Sequence, residues 1–168
     1  MIARRLFASV VLAALALACS QARVGGETPW VADAARRHAV ADERLQAGNP
    51  AAAKAALLEI VNDAVPPAVP ADDRRGVLQD TYFRLAELDL QARDARGALG
   101  SADRGLALGR ADDLFVANLL VVRGAAHEAL GDGPAAATDY HDALLINDKL
   151  LTETLHEQTD GRAPGAQP

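Results

Sequence analysis

The sequence predicts an all-α chain built from α-α hairpin repeats, and three observations carry that expectation. Alanine is abundant and β-branched runs are scarce, a balance that favours helices over strands. Gly and Pro cluster in short breaks between helix-length segments, as turn chemistry requires. One series of side chains then recurs three times at fixed offsets, the mark of a repeat architecture.

The N-terminal stretch reads as a leader, not as part of the fold. Arg4 and Arg5 precede the uncharged run Leu6 to Ala18, LFASVVLAALALA. As a helix that run reaches about 20 Å, short of the roughly 30 Å of a bilayer core, so residues 1–18 are expected to be a cleavable signal peptide. Leu15-Ala16-Leu17-Ala18-Cys19-Ser20 resembles the lipobox of bacterial lipoproteins, and Cys19 is the only cysteine of the 168-residue chain. Ala16 departs from that pattern, which more often has Leu there. The resemblance implies that Cys19 is acylated and becomes the mature N-terminus; two or more chains anchor stably where one does not. It also implies that Ser20, in place of an Asp retention signal, directs the protein to the outer membrane, facing the periplasm.

The formal net charge is −6, and without Arg4 and Arg5 the 17 basic residues fall to 15 against 23 acidic, giving −8 for the mature chain. Such an acidic body argues against nucleic acid as a partner and against electrostatic clinging to anionic lipid. Residues 19–28 are expected to be a flexible tether, with Gly25-Gly26 and no periodicity. Thr28-Pro29 then supplies an N-cap and a first-turn proline.

From there the breakers set six helices, near 29–47, 50–65, 72–92, 95–108, 112–130 and 134–158, within one domain spanning 29–158. Gly48-Asn49-Pro50 divides the first two. The proline-rich stretch 66–70 precedes the third, which Asp72 or Asp73 can cap. Arg93-Asp94, Gly109 to Asp112 and Gly131-Asp132-Gly133-Pro134 complete the breaks. In the third helix Leu78, Tyr82, Leu85, Ala86 and Asp89 follow helical spacing, apolar until the last. The tail 159–168, rich in Gly and Pro, is expected to be disordered.

The internal repeat decides the fold class. Gly124, Gly131-Asp132, Ala136, Tyr140 and Ala143-Leu144 share their offsets with Ala86, Arg93-Asp94, Ala98, Ala102 and Gly105-Leu106. The same offsets fall on Ala41, Gly48-Asn49, Ala53, Leu57 and Ile60-Val61. Each series describes a helix, a tight turn and a second helix, with small residues where the antiparallel axes cross at the usual 8–10 Å. Packing between the helices is therefore expected at Ala41, Ala53, Ala86, Ala98, Gly105, Gly124, Ala136, Tyr140 and Ala143.

This series resembles the tetratricopeptide repeat family over about residues 34–150, most closely in Asn118 to Asp148. Departures include Asp89 and His127 where an aromatic Tyr is usual, and Arg123 for a Leu. The resemblance implies a right-handed superhelical solenoid of about three repeats plus a C-terminal capping helix. Residues 149–158 suit that cap, with Leu150, Leu151 and Leu155 inward and Lys149, Glu153 and Glu157 facing water. It further implies a concave groove that binds extended peptides or partner helices, lined here by His38, Asp42, Leu45, Asp80, Phe83, Glu87, Leu90, Asn118, Val121 and Glu128. That is an apolar centre at Phe83, Leu90 and Val121 within an acidic surround, suited to an apolar anchor with Arg or Lys nearby.

Catalysis is not expected. His127-Glu128 and His156-Glu157 begin like a zinc-protease HExxH motif, but Gly131 and Asp160 stand where the closing His is needed. His127, Asp139, His141 and Asp142 gather around one hairpin and read as partly exposed polar side chains. No catalytic residue, metal site or cofactor is therefore assigned. The expected function is that of a lipid-anchored envelope scaffold for partner proteins or peptides, held to the membrane by acyl chains on Cys19. The competing class is a small-molecule-binding lipoprotein accessory to a transporter or envelope enzyme.

Overall fold

The computed structural model describes residues 28–159. The signal peptide at 1–18, Cys19 with its acylation, the tether up to Glu27 and the tail from Asp160 lie outside the described residues. Within them the chain is all-α: α1 Pro29–Gln46, α2 Pro50–Asn62, α3 Ala71–Gln91, α4 Ala95–Ala107, α5 Leu114–Ala129 and α6 Gly133–Thr159.

Local chemistry sets these boundaries. Thr28 accepts from the Val31 amide at 3.4 Å and Pro29 occupies the first turn. Three turns then share one hydrogen-bond scheme. The amides of Gly48 and Asn49 donate to the carbonyls of Leu45 and Arg44, those of Arg93 and Asp94 to Leu90 and Asp89, and those of Gly131 and Asp132 to Glu128 and His127. This closes each first helix with two bonds to its last carbonyls. The same Asn49, Asp94 or Asp132 then caps the next helix, accepting from the amides of Ala52, Gly97 and Ala135 at 3.1, 2.9 and 3.2 Å. One residue thus ends one helix and starts another. The sequence offsets of 45 and 38 residues are reproduced bond for bond.

Two boundaries differ from expectation. Neither Asp72 nor Asp73 caps α3; Pro70 holds the N-cap position without a side-chain bond, and both aspartates sit in the first turn, where they favour the helix dipole. α2 stops at Asn62, with Asp63 already extended.

The helices pair as α1·α2, α3·α4 and α5·α6, and successive hairpins join through α2·α3 and α4·α5. α1, α3 and α5 also touch side by side, whereas α2, α4 and α6 make no contact with one another. Apolar clusters fill the seams. Leu57 and Ile60 meet Leu85 and Leu88 between the first two hairpins, and Leu106 meets Val116, Leu119 and Leu120 between the last two. Buried Gln79 donates to the carbonyls of Gly105 and Gly109 and so fixes the α4–α5 connection against α3.

The small residues of the repeat lie where helices approach. Ala41, Ala53, Ala86, Ala98, Ala136 and Ala143 are buried, as are Gly105 and Gly124. A Cβ on Gly124 would stand 2.7 Å from the Tyr140 ring, and one on Gly105 2.7 Å from Leu119; neither site has room for a methyl group. Tyr140 packs at the expected seam but is not enclosed by it. Its ring lies along Gly124, yet the residue is 37% exposed and its hydroxyl donates to Glu128 at 3.0 Å.

The expected cap is the end of α6, one helix as the span 134–158 implied, which runs 27 residues beside an α5 of 16. Leu151 and Leu155 are 58% and 55% exposed, not turned inward, while Leu150 and Glu157 are half-buried. The reason is geometric: α5 begins at Leu114, so it ends before it can run alongside the last turns of α6.

Candidate functional site

The expected groove residues come from α1, α3 and α5, the three helices that touch side by side. Between α1 and α3 lies a hollow of about 270 Å³ whose walls include Asp42, Leu45, Asp80, Phe83, Arg84 and Glu87. Between α3 and α5 lies a second, of about 350 Å³, walled by Phe83, Glu87, Leu90, Asn118, Val121 and Ala125 among others. Phe83, Glu87 and Gln91 are common to both, so the two hollows adjoin across α3. Phe83 and Leu90 are half-buried, packed on Ala86, Ala98, Ala102, Val122 and Ala126 from below. They therefore serve the core and the groove floor at once.

Two expected groove residues lie elsewhere. His38 faces a smaller hollow of about 160 Å³ shared with Val31, Asp80 and Phe115. Glu128 lines neither main hollow and is engaged by the Tyr140 hydroxyl. Phe115 covers Gly76 at the start of α3, 3.3 Å from where a Cβ would sit.

The electrostatics of the groove rest on Arg84, which the sequence reading did not single out. Its guanidinium donates to Asp80 on its own helix and to Asp42 on α1, each at 2.9 Å. The i, i+4 spacing of Asp80 and Arg84 was the available sign of it. Arg84 thereby offsets one of these two carboxylate charges within the molecule. Glu87 lies one turn further along α3 at the wall between the hollows; burial pushes its carboxyl pKa up, with Arg84 opposing and Asp80 adding to the rise. The His38 Nε2 lies 2.9 Å from the Thr81 hydroxyl, which itself donates to the Val77 carbonyl. Burial holds the pKa of His38 below the usual value, against the opposing pull of Asp80 with Nδ1 at 3.4 Å.

Two departures from the repeat pattern, Asp89 and Arg123, make ion pairs between helices. Asp89, expected as the break in an apolar stripe, is 4% exposed and meets Lys54 of α2 and Ser101 of α4. Arg123 grips Asp139 through two bonds of 2.9 and 2.5 Å and reaches Asp103 at 3.2 Å. Asp139 is thus 3% exposed, not partly exposed as expected, because Arg123 satisfies it. His127 stands 3.9 Å from both Asp132 and Asp139. Among the described residues no three His, Cys, Asp or Glu side chains gather as metal ligands, and no helix is long and apolar enough to cross a membrane.

What remains open to solvent is shape: two adjoining concave, mostly apolar hollows with a carboxylate on their common wall. Such a surface can hold an apolar side chain and orient a neighbouring cation. Comparison with protein-family models, curated proteins and solved structures finds no match to the chain.

Proposed function

We propose that this chain is a lipid-anchored adaptor of the bacterial cell envelope. Its hairpins stack in the manner of tetratricopeptide repeats, as a right-handed solenoid, and hold a segment of a partner protein in the groove of α1, α3 and α5. The observation that carries this reading is the pair of hollows adjoining at Phe83 and Glu87. An extended segment laid across α3 can seat one apolar side chain against Phe83, Leu90 and Val121 and set an Arg or Lys beside Glu87. The mutual pairing of Arg84, Asp42 and Asp80 supports a binding surface over a reactive one.

The anchor rests on Cys19 and the apolar run before it. A tether of nearly ten residues spans at most about 30 Å, so the groove stays close to the outer membrane, on its periplasmic side. Crosslinking followed by pull-down from membranes tests the groove. Phe83→Ala and Glu87→Lys should each lose partners that the wild-type chain recovers, and recovery of the same partners by both variants contradicts the assignment. The anchor is tested separately by intact mass of the membrane-extracted protein, which should show acyl chains on Cys19.

A further inference from the structure

A hollow of about 450 Å³, larger than either groove hollow, lies on the other layer, where α2 and α4 flank α3 without touching each other. Its apolar lining is Tyr82 and Leu85 of α3 with Val61 of α2. Its carboxylates are already engaged. Asp89 meets Lys54 of α2 and the Ser101 hydroxyl of α4, and Asp94 caps the Gly97 amide.

The repeat supplies a comparison within the molecule. The equivalent space between α4 and α6 is bridged by Arg123, whose guanidinium joins Asp103 of α4 to Asp139 of α6. By the repeat offsets Leu85 stands where Arg123 does, Leu58 where Asp103 does and Ser101 where Asp139 does. Leu85 is buried with Leu57 and Ile60 and carries no charge to join the flanking helices. The first space is therefore left without the bridge that the second has. Its bias is also reversed, toward donors. Arg104 of α4 and Asn62 of α2 line the hollow, and neither side chain makes a hydrogen bond or ion pair among the described residues.

We infer that this hollow is a second binding site, separate from the groove, for a small organic acid with one carboxylate on an apolar body. The carboxylate takes the Arg104 guanidinium, whose planar fork matches it through two parallel bonds, and the Asn62 amide adds a further donor. The apolar body lies against Leu85, Val61 and Tyr82. One negative charge suits one free cation. A dianion such as a phosphate ester finds no second one, because Lys54 is held by Asp89, and it would face Asp89 and Asp94 at a like-charge cost. The volume falls within the range of about 300–1,000 Å³ usual for small-molecule sites.

The test uses the full chain in a non-ionic detergent, with hydrocinnamate as the probe and hydrocinnamyl alcohol as its uncharged match. Amide nitrogen–proton spectra should show saturable shifts at Asn62, Ser101 and Arg104 at about millimolar hydrocinnamate. The alcohol should bind at least about tenfold more weakly, for want of the charge-assisted bonds. Arg104→Glu, a change at an exposed position, should lose the acid with unchanged helical circular dichroism, and Phe83→Ala in the groove should keep it. Shifts centred on Leu90 and Asn118, equal binding of acid and alcohol, an Arg104→Glu variant that binds as wild type, or no saturable shift would each overturn the inference. So would shifts from a glutamate-containing peptide with none from hydrocinnamate, which would give the hollow to a protein.

Discussion

Arg93 has φ +60°, the conformation that Gly48 and Gly131 hold at the equivalent place in the other two turns. A side chain in that region brings Cβ against the following carbonyl at a cost of about 1–2 kcal/mol, whereas glycine adopts it freely. Arg93→Gly should therefore stabilise the protein by about 1 kcal/mol, read as a higher urea midpoint at unchanged slope; an unmoved or lower midpoint would contradict the shared turn geometry. His38 gives a pH-dependent counterpart. Its folded pKa is lowered from 6.5, first by burial, so the folded state binds its proton less readily than the unfolded chain. The stability it contributes is complete above about pH 6.5 and is lost as pH falls through the lowered folded value. Urea midpoints measured from pH 8 to pH 5 should show that loss, and His38→Gln should flatten it.

Helix boundaries were legible in the sequence to within about three residues because the punctuation is local. Asn49, Asp94 and Asp132 each follow a residue suited to or forced into a left-handed turn, and each precedes a helix it can cap. The packing residues were equally legible, since a small side chain at Ala41, Ala86 or Gly124 is a constraint one helix places on its neighbour at a fixed offset. Ala136, 4% exposed, should tolerate no bulk, and Ala136→Trp should cost about 2–3 kcal/mol by overpacking; an unchanged melting temperature would count against this seam. What could not be read was the pairing of charges between elements. Lys54 meets Asp89 and Arg84 meets Asp42 across 35 and 42 residues, and which faces oppose is fixed only once the hairpins pack. Asp139 was misjudged for the same reason, its burial being set by Arg123 from α5. Arg123→Met alone should leave that carboxylate buried without its main cation and destabilise by about 3–5 kcal/mol, and adding Asp139→Leu should recover much of the loss. Thermal melts of the single and double variants separate this from a simple packing defect.

At the scale of the whole molecule, two layers divide the work. α2, α4 and α6 touch only helices of the other layer, and the layer of α1, α3 and α5 carries the two adjoining hollows. Eight of the ten groove residues expected from the repeat register line one of the two main hollows. The two exceptions are engaged elsewhere: His38 lines the smaller hollow between α1 and α3, and Glu128 accepts from the Tyr140 hydroxyl. Site-specific photo-crosslinking in native membranes tests the groove most directly, with the reactive group placed at Leu90 or Asn118 in the hollow and at Ala55 on the other layer. Capture in the groove predicts one discrete adduct mass from both Leu90 and Asn118 and none from Ala55. Equal labelling from Ala55, or adducts from Ala55 alone, would contradict it.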